Sequence, residues 1–255
     1  MNFVFDVDGT ICFDGKTIDA SIVQAFEEIK NAGHEVIFAS ARPIRDLLPV
    51  LPKPLQQEKL VGGNGAYTSK NGKIDVIHFQ DSLRTQLITL VEDNQVTYLA
   101  DSDWDYAFTG EKTHPIYKNI NQTSAQNREL RSLHKLCKLV LFQPPQRVTD
   151  ELSTLPVNIT YYKGENAIDI SPIGINKVRG LHHLQVQEFI AFGNDSNDQC
   201  LFENALHGIC VGEHEVEQYA SVSVKKENVA AMIGSVLRKY ENQEIQGINT
   251  MYHVK

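Results

Sequence analysis

Hydrophobic positions near the start of the chain form short apolar runs separated by stretches with helical spacing. Apolar runs at 2–5, 35–39 and around 60–61 predict buried strands, and apolar positions three and four residues apart predict a helix over 20–31. A second helix is predicted to open on Pro43, since proline suits the first helical position. Strands that alternate with helices are typical of a parallel sheet with crossover helices, and functional residues gather at the carboxyl ends of such strands.

The pattern changes in the middle of the chain. Residues 66–80 are predicted to form an antiparallel hairpin around an Asn71-Gly72 turn. Helices are predicted near 83–93, 124–133 and 146–154, an irregular loop over 109–126, and strands near 96–100, 104–108, 136–142, 157–162 and 166–170. Helices interleaved with strands of this kind predict an α+β insert.

The α/β rhythm returns after Pro172. The elements predicted there are a helix over 177–184 capped by Asn176, a strand at 189–192, a helix over 199–205, a strand at 208–212 and a helix over 229–240. The sequence therefore predicts an α/β fold. Residues 1–81 and 173–255 would form a Rossmann-like parallel-sheet core, and residues 82–172 an inserted α+β cap domain.

Composition and charge are typical of a soluble globular protein. Of the 255 residues, 42% are hydrophobic and 22% are charged, which allows a substantial core. The net charge of -8 argues against a nucleic-acid partner. The four cysteines are dispersed, which suits a reducing compartment and no zinc site. No apolar run approaches membrane-spanning length, so we expect a cytoplasmic protein without a membrane partner. We expect a monomer or a homodimer, and the sequence does not decide between them.

Two carboxylates follow the first apolar run. Asp6 and Asp8 stand one residue apart, and Gly9 and Thr10 come next. Like charges so close to a buried strand repel each other, and burial increases the cost. A hard divalent cation would offset that cost. An Asp-Gly turn after an edge strand explains the same residues without a ligand, and this stretch alone does not decide between the two.

Polar clusters at other predicted strand ends favour the cation. Ser40 and Arg42 follow the second strand, the segment 194–198 follows a later one, and Lys177 begins a helix. Acidic side chains can hold Mg2+, whereas a hydroxyl and a lysine can bind phosphate oxygens. Helix N-termini nearby would add amide donors for an anion.

These motifs resemble those of the haloacid dehalogenase-like hydrolases. The segment 6–10 matches their DxDGT motif, the segment 39–43 is close to the ATGRP form of the second motif, Lys177 matches the third, and 193–198 matches the fourth, usually GDxxND. Asn64-Gly65-Ala66 matches an NGA element of the Cof-type subfamily, which carries a type IIB α+β cap between motifs two and three. All four motifs occur in order.

The resemblance implies a catalytic and a metal-binding set. Asp6 would be the nucleophile that forms an aspartyl-phosphate, and Asp8 the general acid and base. Mg2+ would be held by the Asp6 carboxylate, the Asp8 backbone carbonyl and the fourth motif, whose candidate ligands are Asn194, Asp195 and Asp198.

The resemblance also implies a phosphate- and substrate-binding set. Its members are Ser40, Ala41, Arg42, Asn64, Asn197 and Lys177. Taken singly, Ser40 could be a helix cap and Asn64 a turn residue. The other motifs favour phosphate binding for Ser40. Ala41 replaces the usual glycine of the second motif, which the loop should tolerate.

One departure from the family pattern matters for the metal. Asn194 stands where the family usually places the first aspartate of its fourth motif. A neutral amide can give its oxygen to Mg2+ but contributes no negative charge. Either Asn194 binds more weakly, or Asp195 takes its place, or Asp198 is the main ligand. We expect Asn194 near the metal, supported by Asp195 and Asp198.

The resemblance therefore implies a Mg2+-dependent phosphatase acting on a small phosphorylated metabolite, such as a sugar phosphate or a phosphorylated cofactor. A phosphomutase shares the acid pair, but the large insert in this position argues against it. A non-catalytic sensor of a phosphorylated ligand is the other alternative. The intact Asp6 and Asp8 argue against a sensor, whereas Asn194 argues for it.

Overall fold

The computed structural model describes residues 1–162 and 166–252. Within these residues the strands are β1 (Asn2–Phe5), β2 (Glu35–Ala39), β3 (Lys59–Gly62), β4 (Tyr67–Lys70), β5 (Lys73–Val76), β6 (Thr97–Asp101), β7 (Tyr106–Phe108), β8 (Lys138–Phe142), β9 (Val157–Tyr162), β10 (Ala167–Pro172), β11 (Phe189–Gly193), β12 (His207–Val211) and β13 (Val222–Val224). The α-helices are α1 (Ala20–Asn31), α2 (Ile44–Leu47), α3 (Asp81–Asp93), α4 (Pro115–Asn119), α5 (Gln146–Leu152), α6 (Lys177–His183), α7 (Gln199–Asn204) and α8 (Val229–Tyr252).

The chain forms two compact units, and the first combines its two ends. This unit comprises Met1–Ile37 and the chain from Glu188 onward. Its strands lie in the order β13-β12-β11-β1, and each neighbouring pair is parallel. The rings of Phe5, Phe26 and Phe192 form its core, with 4.8 Å between the Phe5 centroid and each of the other two. This is the parallel sheet that the apolar runs predict.

The second unit, Phe38–Gln187, contains two groups of strands. Strands β3, β4 and β5 form an antiparallel meander, and the predicted Asn71-Gly72 turn joins the last two. The other group is an antiparallel sheet in the order β7-β6-β8-β10-β9. This sheet and its helices form the predicted α+β insert. The predicted domain boundaries at residues 81 and 172 stay a prediction.

Each face of the five-stranded sheet packs against its own apolar cluster. Successive side chains of a strand point to opposite faces. Leu139 and Leu141 of β8 therefore pack with side chains of α3 and α5, whereas Val140 and Phe142 pack with Tyr117 of α4. The alternation explains why β8 is apolar throughout apart from Lys138 at its start.

The prediction of a helix over 124–133 is wrong. Apart from a short 3-10 turn at Leu130–Ser132, this segment is not helical. Its backbone pairs with β7 instead: Tyr106 N donates to Gln126 O (3.2 Å) and Arg128 N donates to Tyr106 O (2.7 Å). The Asn127 side chain accepts from Phe108 N and donates to Phe108 O. These long-range bonds replace the local ones that a helix would need.

Three smaller predictions also differ from the structure. The loop predicted over 109–126 contains α4, which His114 caps by accepting a hydrogen bond from Ile116 N. The helix predicted over 229–240 runs further, to Tyr252. Pro43 is the N-cap of α2 rather than its first residue.

Candidate active site

Asp6 and Asp8 lie on a tight loop at the end of β1. The backbone N–H of Asp6 continues the sheet by donating to Phe192 O (2.9 Å). Val7 O then accepts from three backbone amides, those of Thr10, Ile11 and Cys12. Asp6 is buried, only 5% exposed, whereas Asp8 on the same turn is exposed.

Thr10 and Asn194 complete a compact polar group with Asp6. The Thr10 hydroxyl lies 3.0 Å from Asp6 Oδ2 and 2.8 Å from one terminal atom of the Asn194 side-chain amide. That same amide atom lies 3.1 Å from Asp6 Oδ2 and 3.0 Å from the Asp8 carbonyl oxygen. The first and fourth motifs therefore meet at one point within the first unit.

Gly9 is required by this close approach. Its φ is +81°, which L side chains rarely adopt, and a β-carbon there would lie 2.4 Å from the Asn194 amide. The glycine of the first motif thus serves both the turn and the packing of Asn194.

The loop that carries Asn194 is organised by Asp198. This side chain is fully buried, and its Oδ2 accepts from the backbone N–H of Asn194 (2.9 Å) and of Asp195 (3.1 Å). Asp195 is exposed and accepts from Ser196 N (2.6 Å). Asn197 is half-buried in the same turn. Asp198 and Asp195 therefore hold the loop in the shape that presents Asn194.

The donor set fits a magnesium ion. Mg2+ takes oxygen ligands at about 2.1 Å in an octahedron, so neighbouring ligand oxygens lie about 3 Å apart. The distances from the Asn194 amide to Asp6 Oδ2 and Asp8 O are 3.1 and 3.0 Å. With its oxygen turned inward, Asn194 adds a third oxygen to those two. Within residues 1–162 and 166–252, no three His, Cys, Asp or Glu side chains form a metal-binding group, so the set depends on this amide and a backbone carbonyl.

The other end of the Asn194 amide can face the same atoms. With its nitrogen turned inward, the side chain donates to Asp8 O, Asp6 Oδ2 and Thr10 Oγ1. An aspartate at this position could make none of these bonds in its ionised form. Asn194 can therefore satisfy the Asp6 carboxylate without a cation, which the usual family residue cannot do.

The second motif is positioned in the second unit by backbone bonds. Ser40 N donates to Val61 O (2.8 Å), Asn64 N to Ser40 O (3.0 Å) and Gly63 N to Arg42 O (2.8 Å). The Ser40 hydroxyl is buried and accepts from Arg42 N (3.0 Å). The residues 40–42 and 63–64 thus form one bonded loop pair, which joins the second motif to the NGA element.

Lys177 lies at the start of α6, as predicted. Asn176 caps this helix by accepting from Arg179 N (2.9 Å), and Lys177 is fully buried (0% exposed). Gly65 contacts the same cap: its φ is +107°, and a β-carbon there would lie 2.1 Å from Asn176 O. A buried ammonium group requires anionic or carbonyl oxygens around it, and a phosphate supplies such oxygens.

Sequence reasoning missed a buried ion pair next to the second motif. Lys138 of β8 donates to Asp169 Oδ2 of β10 (3.0 Å) and to Ala41 O (2.8 Å). The Asn64 amide donates to the same Asp169 oxygen (3.2 Å). The signal in the sequence was a single charged residue within each of two mostly apolar strands.

A second buried cluster, around Arg45, was also missed. Its guanidinium pairs with both oxygens of Asp46 (2.8 and 2.6 Å) and with Asp101 Oδ1 (2.8 Å). Burial works against the charge of Arg45, but the Asp101 and Asp46 carboxylates raise its pKa above the usual value. Burial also raises the pKa of Asp101, and Arg45 offsets this only in part. Tyr106, whose ring Arg45 overlies, lies in the apolar cluster of the insert.

Comparison with known proteins decides the family. The model of the haloacid dehalogenase-like hydrolases matches residues 3–233. The chain belongs to this family. The predicted membership is confirmed, and all four motifs of this haloacid dehalogenase-like hydrolase lie within the matched residues.

Curated phosphatases resemble the chain over most of its length. It is 25% identical to the 5-amino-6-(5-phospho-D-ribitylamino)uracil phosphatase YitU of Bacillus subtilis over 228 residues, 81% of this chain and 84% of that protein. It is 20% identical to a putative phosphatase of Streptococcus pyogenes serotype M6 over 262 residues, 92% and 96% of the two chains. The prediction of a phosphoric monoester hydrolase is confirmed.

Solved structures of the family share the fold. The subclass IIB sugar phosphatase BT4131 has a TM-score of 0.74 at 17% identity, and the match covers 92% of this chain and 99% of that one. A haloacid dehalogenase-like hydrolase from Bacteroides thetaiotaomicron has a TM-score of 0.78 at 17% identity, covering 92% and 98%. The predicted fold, an α/β core with an α+β cap, is confirmed.

Proposed function

We propose that this hydrolase is a Mg2+-dependent phosphatase that cleaves a small phosphorylated metabolite through an aspartyl-phosphate at Asp6. The observation that supports the proposal best is the meeting of Asp6 Oδ2, Asp8 O and the Asn194 amide within 3.1 Å. The resemblance of the first and fourth motifs to those of the family implies that these groups are the reacting carboxylate and its metal ligands.

Asp6 would attack the phosphorus of the substrate. The new bond joins a carboxylate oxygen to phosphorus, and the bond from phosphorus to the leaving alkoxide breaks. Asp6 suits this role because the Thr10 hydroxyl donates to its Oδ2, which orients the carboxylate within a rigid turn. Water then attacks the phosphorus of the aspartyl-phosphate, releasing inorganic phosphate and restoring the carboxylate.

Asp8 would carry the proton in both steps. It would protonate the leaving alkoxide and then remove a proton from the attacking water. Its side chain is exposed, unlike that of Asp6, although the two belong to the same turn. One carboxylate is therefore fixed for attack, and the other can reach a leaving group.

Mg2+ would be held by the Asp6 carboxylate, the Asp8 carbonyl and the Asn194 amide oxygen, with Asp195 and Asp198 shaping the loop. When bound it would neutralise charge shared by the phosphate and the carboxylates. The cation remains a proposal, supported by the oxygen donors and their spacing.

Phosphate binding is proposed for the second motif and Lys177. Ser40 would donate its hydroxyl to a phosphate oxygen, and Lys177 would pair with the phosphate charge. Ala41 and Arg42 share the Ser40 loop, and Asn64 is bonded to it through its backbone. Asn197 would contribute a contact from the fourth motif.

The names of the relatives support only a general substrate class for this protein. Two curated relatives are named for a ribitylaminouracil phosphate and for HMP-PP, and a structural neighbour is named a sugar phosphatase. We propose a small phosphorylated metabolite of this kind, either a sugar phosphate or a phosphorylated cofactor. Among residues placed by the structure, no helix is long and apolar enough to span a membrane. The cytoplasmic location, the lack of a nucleic-acid partner and the monomer or homodimer stay predictions.

Hydrolysis of p-nitrophenyl phosphate tests the proposal. We expect wild type to turn over with Mg2+ and not with EDTA, and Asp6→Asn to be inactive. Asp19→Asn is the matched control, because Asp19 is exposed and makes no side-chain bond at the start of α1. Equal rates of hydrolysis for wild type and Asp6→Asn would rule out Asp6 as the nucleophile.

A non-catalytic sensor remains the second candidate, and Asn194 is the observation that favours it. Its nitrogen can donate to Asp6 Oδ2, which would hold the carboxylate away from attack. A sensor would bind inorganic phosphate with an affinity that Ser40→Ala weakens, while wild type shows no turnover of any phosphate ester.

A further inference from the structure

One carboxylate oxygen in the second unit is buried without a hydrogen-bond partner. Asp169 is 4% exposed, and its Oδ2 accepts from Lys138 Nζ (3.0 Å) and from the Asn64 amide (3.2 Å). Its Oδ1 accepts no hydrogen bond from the residues that the structure describes. A buried acceptor left in this state costs free energy, so an incoming donor would be favoured there.

The position of Asp169 connects it to the second motif. Lys138 donates both to Asp169 and to Ala41 O, which belongs to the loop proposed to bind phosphate. Asn64 likewise bonds Asp169 through its side chain and Ser40 through its backbone. Two independent contacts thus link the carboxylate to that loop, within a single compact unit.

We propose that Asp169 is a specificity-determining residue whose Oδ1 accepts a hydrogen bond from a hydroxyl group in the organic part of the phosphate ester. The inference rests on the proposed function, because it assigns the ester's phosphate to the 40–42 loop. It adds a recognition role for a residue of β10 that carries none of the family motifs.

The charges around Asp169 favour a neutral hydrogen-bond donor over a cationic or an anionic group. Lys138 already compensates the carboxylate, so a cationic group would add an unbalanced charge. An anionic group, such as a second phosphate or a carboxylate, would face Asp169 directly and be repelled. A hydroxyl adds no charge and makes a charge-assisted bond to the carboxylate, which is stronger than a bond between neutral groups.

Ligand binding in the Asp6→Asn background tests this role without requiring turnover. Calorimetry with Mg2+ present would compare sorbitol 6-phosphate, which has hydroxyls, with phenyl phosphate, which has none. Adding Asp169→Asn should lower the affinity for sorbitol 6-phosphate by about tenfold or more. The affinity for phenyl phosphate should stay the same or rise. Asp150→Asn, on the exposed side of α5, is the control and should change neither affinity.

A second variant keeps the test decisive if Asp169→Asn does not fold. Lys138→Met with Asp169→Leu removes the pair together, which leaves no unpaired charge in the interior. The ratio of the two affinities should again shift against sorbitol 6-phosphate by about tenfold. An unchanged ratio in a folded variant would overturn the role of Asp169.

The outcomes separate this inference from the proposed function. If wild type hydrolyses p-nitrophenyl phosphate but the affinity ratio does not change, the phosphatase stands and the role of Asp169 is wrong. If wild type hydrolyses nothing but the ratio changes as expected, Asp169 recognises the ligand of a sensor. An equal loss of affinity for both ligands would show that Asp169 only supports the 40–42 loop, and would reject a role in specificity.

Discussion

The side-chain amide of Asn194 lies 3.1 Å from Asp6 Oδ2. This contact joins the residue that departs from the family pattern to the proposed nucleophile. With the amide oxygen inward the group would serve as the proposed metal ligand, and with the nitrogen inward it can donate hydrogen bonds to the same oxygens. The first predicted consequence concerns the metal.

Asn194→Asp should tighten Mg2+ binding. The change adds a full negative charge to the ligand set, and metal affinity rises with ligand charge. We expect the dissociation constant, measured by calorimetry, to fall by about tenfold, and activity to be retained. Without metal the variant should unfold at a lower temperature than wild type, because the introduced carboxylate and that of Asp6 would repel each other. Weaker Mg2+ binding or loss of metal-dependent turnover would contradict the assignment of Asn194.

Gly9→Ala should destabilise the protein more than Gly33→Ala. Both glycines have a φ of +81°, but a β-carbon at Gly9 would lie 2.4 Å from the Asn194 amide, whereas nothing lies within 4 Å of one at Gly33. The control therefore measures the backbone cost alone, about 1 kcal/mol. We expect Gly9→Ala to cost about 2 kcal/mol more in urea unfolding and to lower turnover. Equal losses of unfolding free energy in the two variants would mean that the contact with Asn194 does not contribute to stability.

Arg45→Met should be strongly destabilising. Arg45 is buried and bonds two buried carboxylates, Asp46 and Asp101. Removing one side of a buried charge pair costs about 3–5 kcal/mol, because the remaining charge stays uncompensated. Arg131→Met is the comparison, since Arg131 pairs with Glu92 at the surface and should cost less than about 1 kcal/mol. Similar unfolding free energies for the two variants would refute the structural role of the Arg45 cluster.

Stability should depend on pH through Asp101. Burial raises its folded-state pKa above the ordinary value of 3.8. The folded protein therefore retains this proton at pH values where the unfolded chain has lost it, so the contribution of Asp101 to stability falls as pH rises from 3.8 through the folded pKa. Asp101→Asn removes that contribution. The free energy of unfolding of the variant, relative to wild type, should rise over this window, and a constant difference would contradict the raised pKa.

The local pattern predicts the periodic elements well and the long-range contacts poorly. Helix α1 (Ala20–Asn31) and strand β2 (Glu35–Ala39) have the predicted bounds, since apolar spacing and end residues determine them. The stretch 124–133 fails because its backbone bonds to β7, far away in sequence. No local feature marks such pairing.

The residues of the candidate site fall into the same two groups, those that the sequence predicts and those that only the structure reveals. The motif residues Asp6 and Asn194 were found because spacing and family resemblance mark them, and the structure brings their side chains together. Lys138 and Asp169 carry no motif. Their relation depends on β8 and β10 pairing in the folded sheet, so only the structure could reveal it.

The covalent role of Asp6 is the central claim, and trapping the intermediate tests it most directly. Wild type would be mixed with p-nitrophenyl phosphate and Mg2+, quenched in acid and analysed by peptide mass spectrometry. We predict a phosphoryl group on Asp6 that is absent in Asp6→Asn and present in the Asp19→Asn control. Turnover with no phosphoryl group on Asp6, or with the group on another residue, would contradict the account.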